Sequence, residues 1–98
     1  MNKLTSANRK YLRSLAHHIE PVVLIGKNGI NNGVINSIEI ALNSKELIKI
    51  KFRDFKDQKK KLSKDIERDT ESNIVGIIGN ILILYKKSDD PDKIKIQI

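Results

Sequence analysis

The apolar run Pro21-Val22-Val23-Leu24-Ile25, broken by Gly26-Lys27-Asn28-Gly29 and followed by helical periodicity from Asn31, constrains the fold of this chain more than any other stretch. It predicts a strand, a tight glycine turn and a helix. The two glycines remove side chains from a turn suited to positive φ, so backbone N–H groups can approach a ligand closely. The helix start adds unpaired N–H groups and the positive end of its dipole. With Lys27 held between the glycines, the turn is suited to phosphate.

Known nucleotide motifs do not fit. A P-loop needs glycine five residues before the Gly-Lys pair and Ser or Thr after it, where this chain has Pro21 and Asn28. The spacing of Gly26, Gly29 and Gly33 does not match the dinucleotide fingerprint either. On spacing alone, a G-x-x-G also describes an ordinary strand-to-helix turn.

At 98 residues the chain is expected to be one domain, 1–98, with a single modest core. It has no cysteine, so disulfide and thiolate chemistry are excluded and a reducing compartment is compatible. No apolar run approaches the roughly 20 residues of a membrane span, and the N-terminus lacks a signal-peptide core. These features predict a soluble, cytoplasmic protein. Lys and Arg outnumber Asp and Glu by 19 to 12, a net charge of +7. Residues 1–30 hold Lys3, Arg9, Lys10, Arg13 and Lys27 against Glu20 alone. A basic excess beside a phosphate-suited turn points to nucleic acid before membrane or acidic protein, although lysine also serves solubility.

The first helix is expected from an N-cap at Thr5 or Ser6 to about His18, with Tyr11, Leu12, Leu15, Ala16 and Ile19 on its apolar face. Arg9, Arg13 and His17 form an i, i+4, i+8 row beside that face, with Lys10 next to it. Val22 to Ile25 shows no alternation, which predicts a strand covered on both faces. Asn31 is the expected N-cap of a second helix ending near Asn43 or Ser44, with Val34, Ile35, Ile38, Ala41 and Leu42 inward. Leu47 to Phe52 alternates, with Ile48, Ile50 and Phe52 inward and Lys49 and Lys51 on a basic outer face.

Residues 53–61 carry a loop into a third helix with Leu62 and Ile66 inward; its thin stripe makes it the expected least stable element. Lys59-Lys60-Lys61 reads as a solvated helix start before an RNA contact. Ile74–Ile78 and Ile81–Tyr85 form a hairpin through Gly79-Asn80, and Ser88 to Asp92 form a turn. The alternation in 93–98 permits an edge strand or an ordered extension. The order α-β-α-β-α-β-β implies an α/β fold: one compact domain, a mixed four-stranded sheet with packed helices, parallel pairing across crossovers and a closing antiparallel hairpin.

Ala16-His17, the run Glu20 to Ile30, Glu46-Leu47-Ile48-Lys49-Ile50-Lys51, and Ile78-Gly79-Asn80 with Leu84-Tyr85-Lys86 together resemble the YhbY family, the stand-alone bacterial form of the CRM (chloroplast RNA splicing and ribosome maturation) domain. The resemblance implies an RNA-binding fold similar to the C-terminal domain of translation initiation factor 3, and association with precursors of the large ribosomal subunit. It likens the glycine turn to the G-x-x-G loop of KH domains, which clamps a nucleic-acid backbone. Lys45 stands where the family often has His, and Lys86 where Arg is usual; both leave the positive charge in place.

Other chemistries find little support. Adjacent His17 and His18 diverge by about 100° on a helix, and no third histidine or cysteine completes a metal site. No nucleophile-elbow signal is present. His17 reads equally as structural or RNA-facing. The aromatics are too few and scattered for a paired stacking platform, with Phe55 the one expected near solvent. The expectation is a monomeric, non-enzymatic RNA-binding ribosome assembly factor with no cofactor, metal or small-molecule substrate. Gly26, Lys27, Asn28 and Gly29 would grip ribosomal RNA backbone, and Arg9, Lys10, Arg13 and His17 would extend the track. The alternatives are a general RNA-annealing or messenger-binding protein and a basic protein-interaction domain.

Overall fold

A computed structural model describes residues 4–98, so Lys3 of the basic N-terminal set lies outside the described residues. The elements are α1 (Ser6–Ala16), β1 (Pro21–Ile25), α2 (Asn32–Lys45), β2 (Leu47–Phe52), α3 (Lys59–Thr70), β3 (Asn73–Ile78) and β4 (Ile81–Tyr85), with single 3₁₀ turns at Lys56–Gln58 and Pro91–Lys93. Local chemistry sets their ends. Thr5 caps α1 in a reciprocal box: its hydroxyl accepts from Asn8 N–H at 3.0 Å, and the Asn8 side chain accepts from Thr5 N–H at 3.2 Å. Asn31 caps α2 by accepting from Val34 N–H at 2.9 Å.

The sheet has the order β1-β2-β4-β3. β1 and β2 run parallel across the α2 crossover, whereas β4 is antiparallel to both β2 and β3. β2 and β3 therefore point the same way but do not pair, because the closing hairpin places β4 between them. Gly79 takes φ 57°, the sign needed at the first position of a tight hairpin turn.

Helices cover both faces. Below the sheet, α2 and α3 enclose the larger core of Ile25, Ile38, Leu42, Ile48, Ile50, Phe52, Ile66, Leu82 and Leu84. Burying each such side chain is worth about 1.5–3 kcal/mol, so this layer dominates stability. Above it, α1 buries Leu12 and Ala16 against Leu47, Val75, Ile83 and Tyr85.

Three expectations are corrected here. β1 is an edge strand, and Val22 and Leu24 face water; its continuous apolar run does not mark two-sided burial. The outer face of β2 is also not wholly solvated, since Leu47 lies beneath α1 and Lys49 is half-buried. Tyr11, counted on the apolar face of α1, is exposed at its margin. The tail 93–98 forms an ordered extension rather than a strand: Lys95 and Ile96 donate N–H to Glu46 Oε1 at 2.6 and 3.1 Å, and Ser88 N–H donates to Oε2 at 2.7 Å.

Candidate nucleic-acid interface

Gly26 to Gly29 leaves the sheet where the parallel pair β1 and β2 ends. Gly29 N–H donates to Gly26 C=O at 3.0 Å and closes a tight turn, and Gly29 takes φ 66°. A side chain at that angle is strained. It would also meet Phe55, whose ring lies 3.4 Å from where a Cβ on Gly29 would stand. The Gly29 amide, expected to face a ligand, is thus occupied within the turn. The N–H groups of Lys27 and Asn28 have no backbone partner among the described residues, and both side chains are exposed. Asp54 Oδ2 comes within 4.0 Å of a Cβ built on Gly26, so the anion-accepting part of the turn is Lys27 and Asn28.

The basic row of α1 divides. Arg9 turns inward, donating from Nη1 to Leu4 C=O at 2.9 Å and from Nε to Ile74 C=O at 3.4 Å. It ties α1 to β3, the sheet edge farthest from the glycine turn, so its first role is structural. Lys10 is exposed. Arg13 lies across the sheet over Gly76, its Cδ 3.5 Å from where a Cβ would stand, and His17 is exposed at the helix end. Arg13 and His17 share a shallow depression with Lys49.

Lys49, Lys51 and Arg53 are cations that complete this surface and were not among the expected site residues. Lys51 is exposed and pairs in register with Leu24, two residues before Gly26. Arg53 is exposed, and its N–H donates to Ile25 C=O at 2.9 Å at the foot of the turn. The alternation in β2 placed both lysines on an outer face, but only the strand pairing connects that face to the turn. Ion pairs among the described residues are confined to α3, where Asp65 meets Lys61 and Arg68, and Arg68 meets Asp69. The cations around the turn keep their charge available for an anion. Lys59 is committed elsewhere, donating to Gly79 C=O at 2.6 Å, which supports a structural role for the start of α3.

An exposed glycine turn, a lysine with no ion-pair partner among the described residues and a cationic sheet surface lie together on one α/β module, with geometry and charge suited to phosphate. The chain belongs to the CRS1/YhbY (CRM) domain family, which matches residues 4–86. It is 40% identical to a Haemophilus influenzae protein named an RNA-binding protein, over 100% of this chain and 97% of that one. It is 34% identical to Bacillus subtilis YqeI, named a probable RNA-binding protein, over 95% and 98%. The solution structure of a Staphylococcus aureus protein described as an RNA-binding candidate superposes with TM-score 0.79 at 38% identity, covering 96% of this chain and 99% of that one. These relatives are named for RNA binding and not as enzymes. No helix among the described residues is long and apolar enough to cross a membrane.

Proposed function

We propose that this protein binds RNA by its phosphate backbone at Lys27 and Asn28, with Arg13, His17, Lys49, Lys51 and Arg53 extending the contact, and that in the cytoplasm it acts on precursors of the large ribosomal subunit. The observation that carries the RNA reading is the open turn from Gly26 to Gly29, with Lys27 exposed and, among the described residues, without an ion-pair partner beside further unpaired cations. The names of the relatives support the same ligand. Such contacts position RNA without reading its bases, so preference for one particle over another comes from RNA shape and accessibility.

Three to five neutralised phosphates give a slope of log K against log salt of about −2 to −4 on single-stranded or structured RNA. Affinity flat with salt would remove the phosphate reading. In a sucrose gradient at moderate salt, the protein should travel with large-subunit precursors and be depleted from mature ribosomes, and Lys27→Ala should move it toward the free fractions. An even spread over all RNA-containing fractions would favour general RNA binding. Failure to bind bare RNA would favour an acidic protein partner.

A further inference from the structure

α1 roofs only one end of its sheet face. Leu47, Val75, Ile83 and Tyr85 are buried beneath it, whereas nearer the glycine turn Leu24, Lys51 and Ile78 are exposed and Ile81 is half-buried. The register defines a row across all four strands, with Leu24 opposite Lys51, Lys51 opposite Ile81 and Ile81 opposite Ile78. Partners in register share a face. Leu24 is 49% and Ile78 58% exposed, and Lys51 between them is exposed. Behind this row stand Val22, 43% exposed, and half-buried Lys49, with Arg13 and His17 closing the rear.

The chemistry of this half-face separates two kinds of occupant. A protein interface concentrates apolar residues at its centre and excludes lysine from it. Here a lysine stands in the middle of the row, no acidic residue occupies either row, and none of Arg13, Lys49 and Lys51 has an ion-pair partner among the described residues. Single-stranded nucleic acid presents the matching pattern, flat apolar base faces alternating with phosphates. Three inter-strand steps of about 4.8 Å give the row a width of about 14 Å. RNA recognition motifs, whose stacking groups are aromatic, carry two or three bases on a four-stranded sheet.

We propose that this open half-face binds a short single-stranded RNA segment, with bases against Leu24, Ile81 and Ile78 and phosphates at Lys51, Lys49 and Arg13, leading the strand into the turn at Lys27. The proposal rests on the RNA reading above and specifies its ligand as an unpaired strand. A duplex keeps its base faces stacked and cannot lay them on the row. Aliphatic side chains offer no hydrogen bonds to base edges, so this contact tolerates any sequence.

The test is a methyl-detected NMR titration at low salt with an oligouridylate of about eight nucleotides, a length within the usual site size of such surfaces, and with a duplex of equal length. The methyls of Leu24, Ile78 and Ile81 should shift with the single strand and not with the duplex. Leu24→Ser with Ile78→Ser, both at exposed positions, should keep the melting temperature and weaken oligouridylate binding about five-fold, below the loss expected for an aromatic platform. The salt slope should stay unchanged, whereas Lys27→Ala should lower it by up to about 1. If the oligouridylate binds through Lys27 while these methyls stay still, the half-face proposal is overturned and the RNA reading survives. Binding of neither RNA overturns both. Equal methyl shifts with the duplex overturn the strand preference, and shifts that follow protein concentration without RNA assign the face to contact between copies.

Discussion

At the two ends of α2 the chain takes nearly the same positive φ, 66° at Gly29 and 63° at Glu46, with opposite side chains. Gly29 has none, which leaves the turn open beside exposed Lys27 and Asn28. Glu46 is 1% exposed, and its carboxylate accepts three backbone N–H groups from Ser88, Lys95 and Ile96. A non-glycine residue at this angle costs on the order of 1 kcal/mol, which hydrogen bonds to a buried charge can more than offset. One joint carries no side chain, which lets the Phe55 ring pack against it, and the other is filled so that the C-terminal extension is held. On the proposed function, RNA binding and anchoring of the tail fall at opposite ends of one helix.

The contrast breaks most severely at Glu46. Glu46→Ala leaves three amides without their acceptor and should cost about 3 kcal/mol. For a domain of this size that corresponds to a fall in Tm of about 15 °C. Amide exchange should accelerate first at Lys95 and Ile96, and the folded fraction should still bind RNA. Glu46→Gln, which keeps one acceptor oxygen, should lie between. An unchanged Tm in Glu46→Ala would show that the extension adds nothing to stability.

At the other end, the same comparison separates backbone from charge. Gly29→Val forces a branched side chain to φ 66° and against Phe55, and should cost about 1–2 kcal/mol in thermal denaturation. Lys27→Ala should change stability by less than about 0.5 kcal/mol, as surface changes usually do, while weakening RNA binding. Equal destabilisation by both, with affinity tracking only the folded fraction, would reduce the turn to a structural element.

The smallest effect sharpens the closed end. Tyr85 is 2% exposed, and its hydroxyl has no hydrogen-bond partner among the described residues. Burial, and secondarily the Glu46 carboxylate, raise its pKa above the ordinary 10.0. The folded state therefore holds the phenol proton more tightly, so stability is intact below pH 10.0 and is lost as pH rises above it. Tyr85→Phe should stay within about 1 kcal/mol of the parent at neutral pH and escape this tyrosine's share of the alkaline loss. Parallel stability curves for the two proteins above that pH would show that Tyr85 is not responsible.

Residues whose conformation depends on near neighbours were legible in the sequence. Thr5 and Asn31 cap their helices as their side chains require, and Leu47–Phe52 and Ile81–Tyr85 form strands with the expected bounds. The glycine turn was also visible, because Gly-x-x-Gly after an apolar run has few local alternatives. The use of each cation was less legible. Arg9 and Arg13 share a helix row, yet Arg9 binds carbonyls at Leu4 and Ile74 while Arg13 lies over the sheet toward Lys49. Periodicity gives a side chain its direction from the helix, but not the groups it meets there.

By itself the sequence determined the elements, their caps, the hairpin and a basic glycine turn, since each follows from backbone sterics and hydrogen bonding within a few residues. The tertiary structure alone decided that β4 enters between β2 and β3, which leaves β1 at the edge with Leu24 in water. It also decided that α1 roofs one half of its sheet face and that Glu46 reaches the tail some fifty positions away. These outcomes depend on which distant strands pair and how much surface each helix can cover. That competition is settled by the packing of the whole chain, because a local pattern is compatible with several strand orders and only one of them closes both cores.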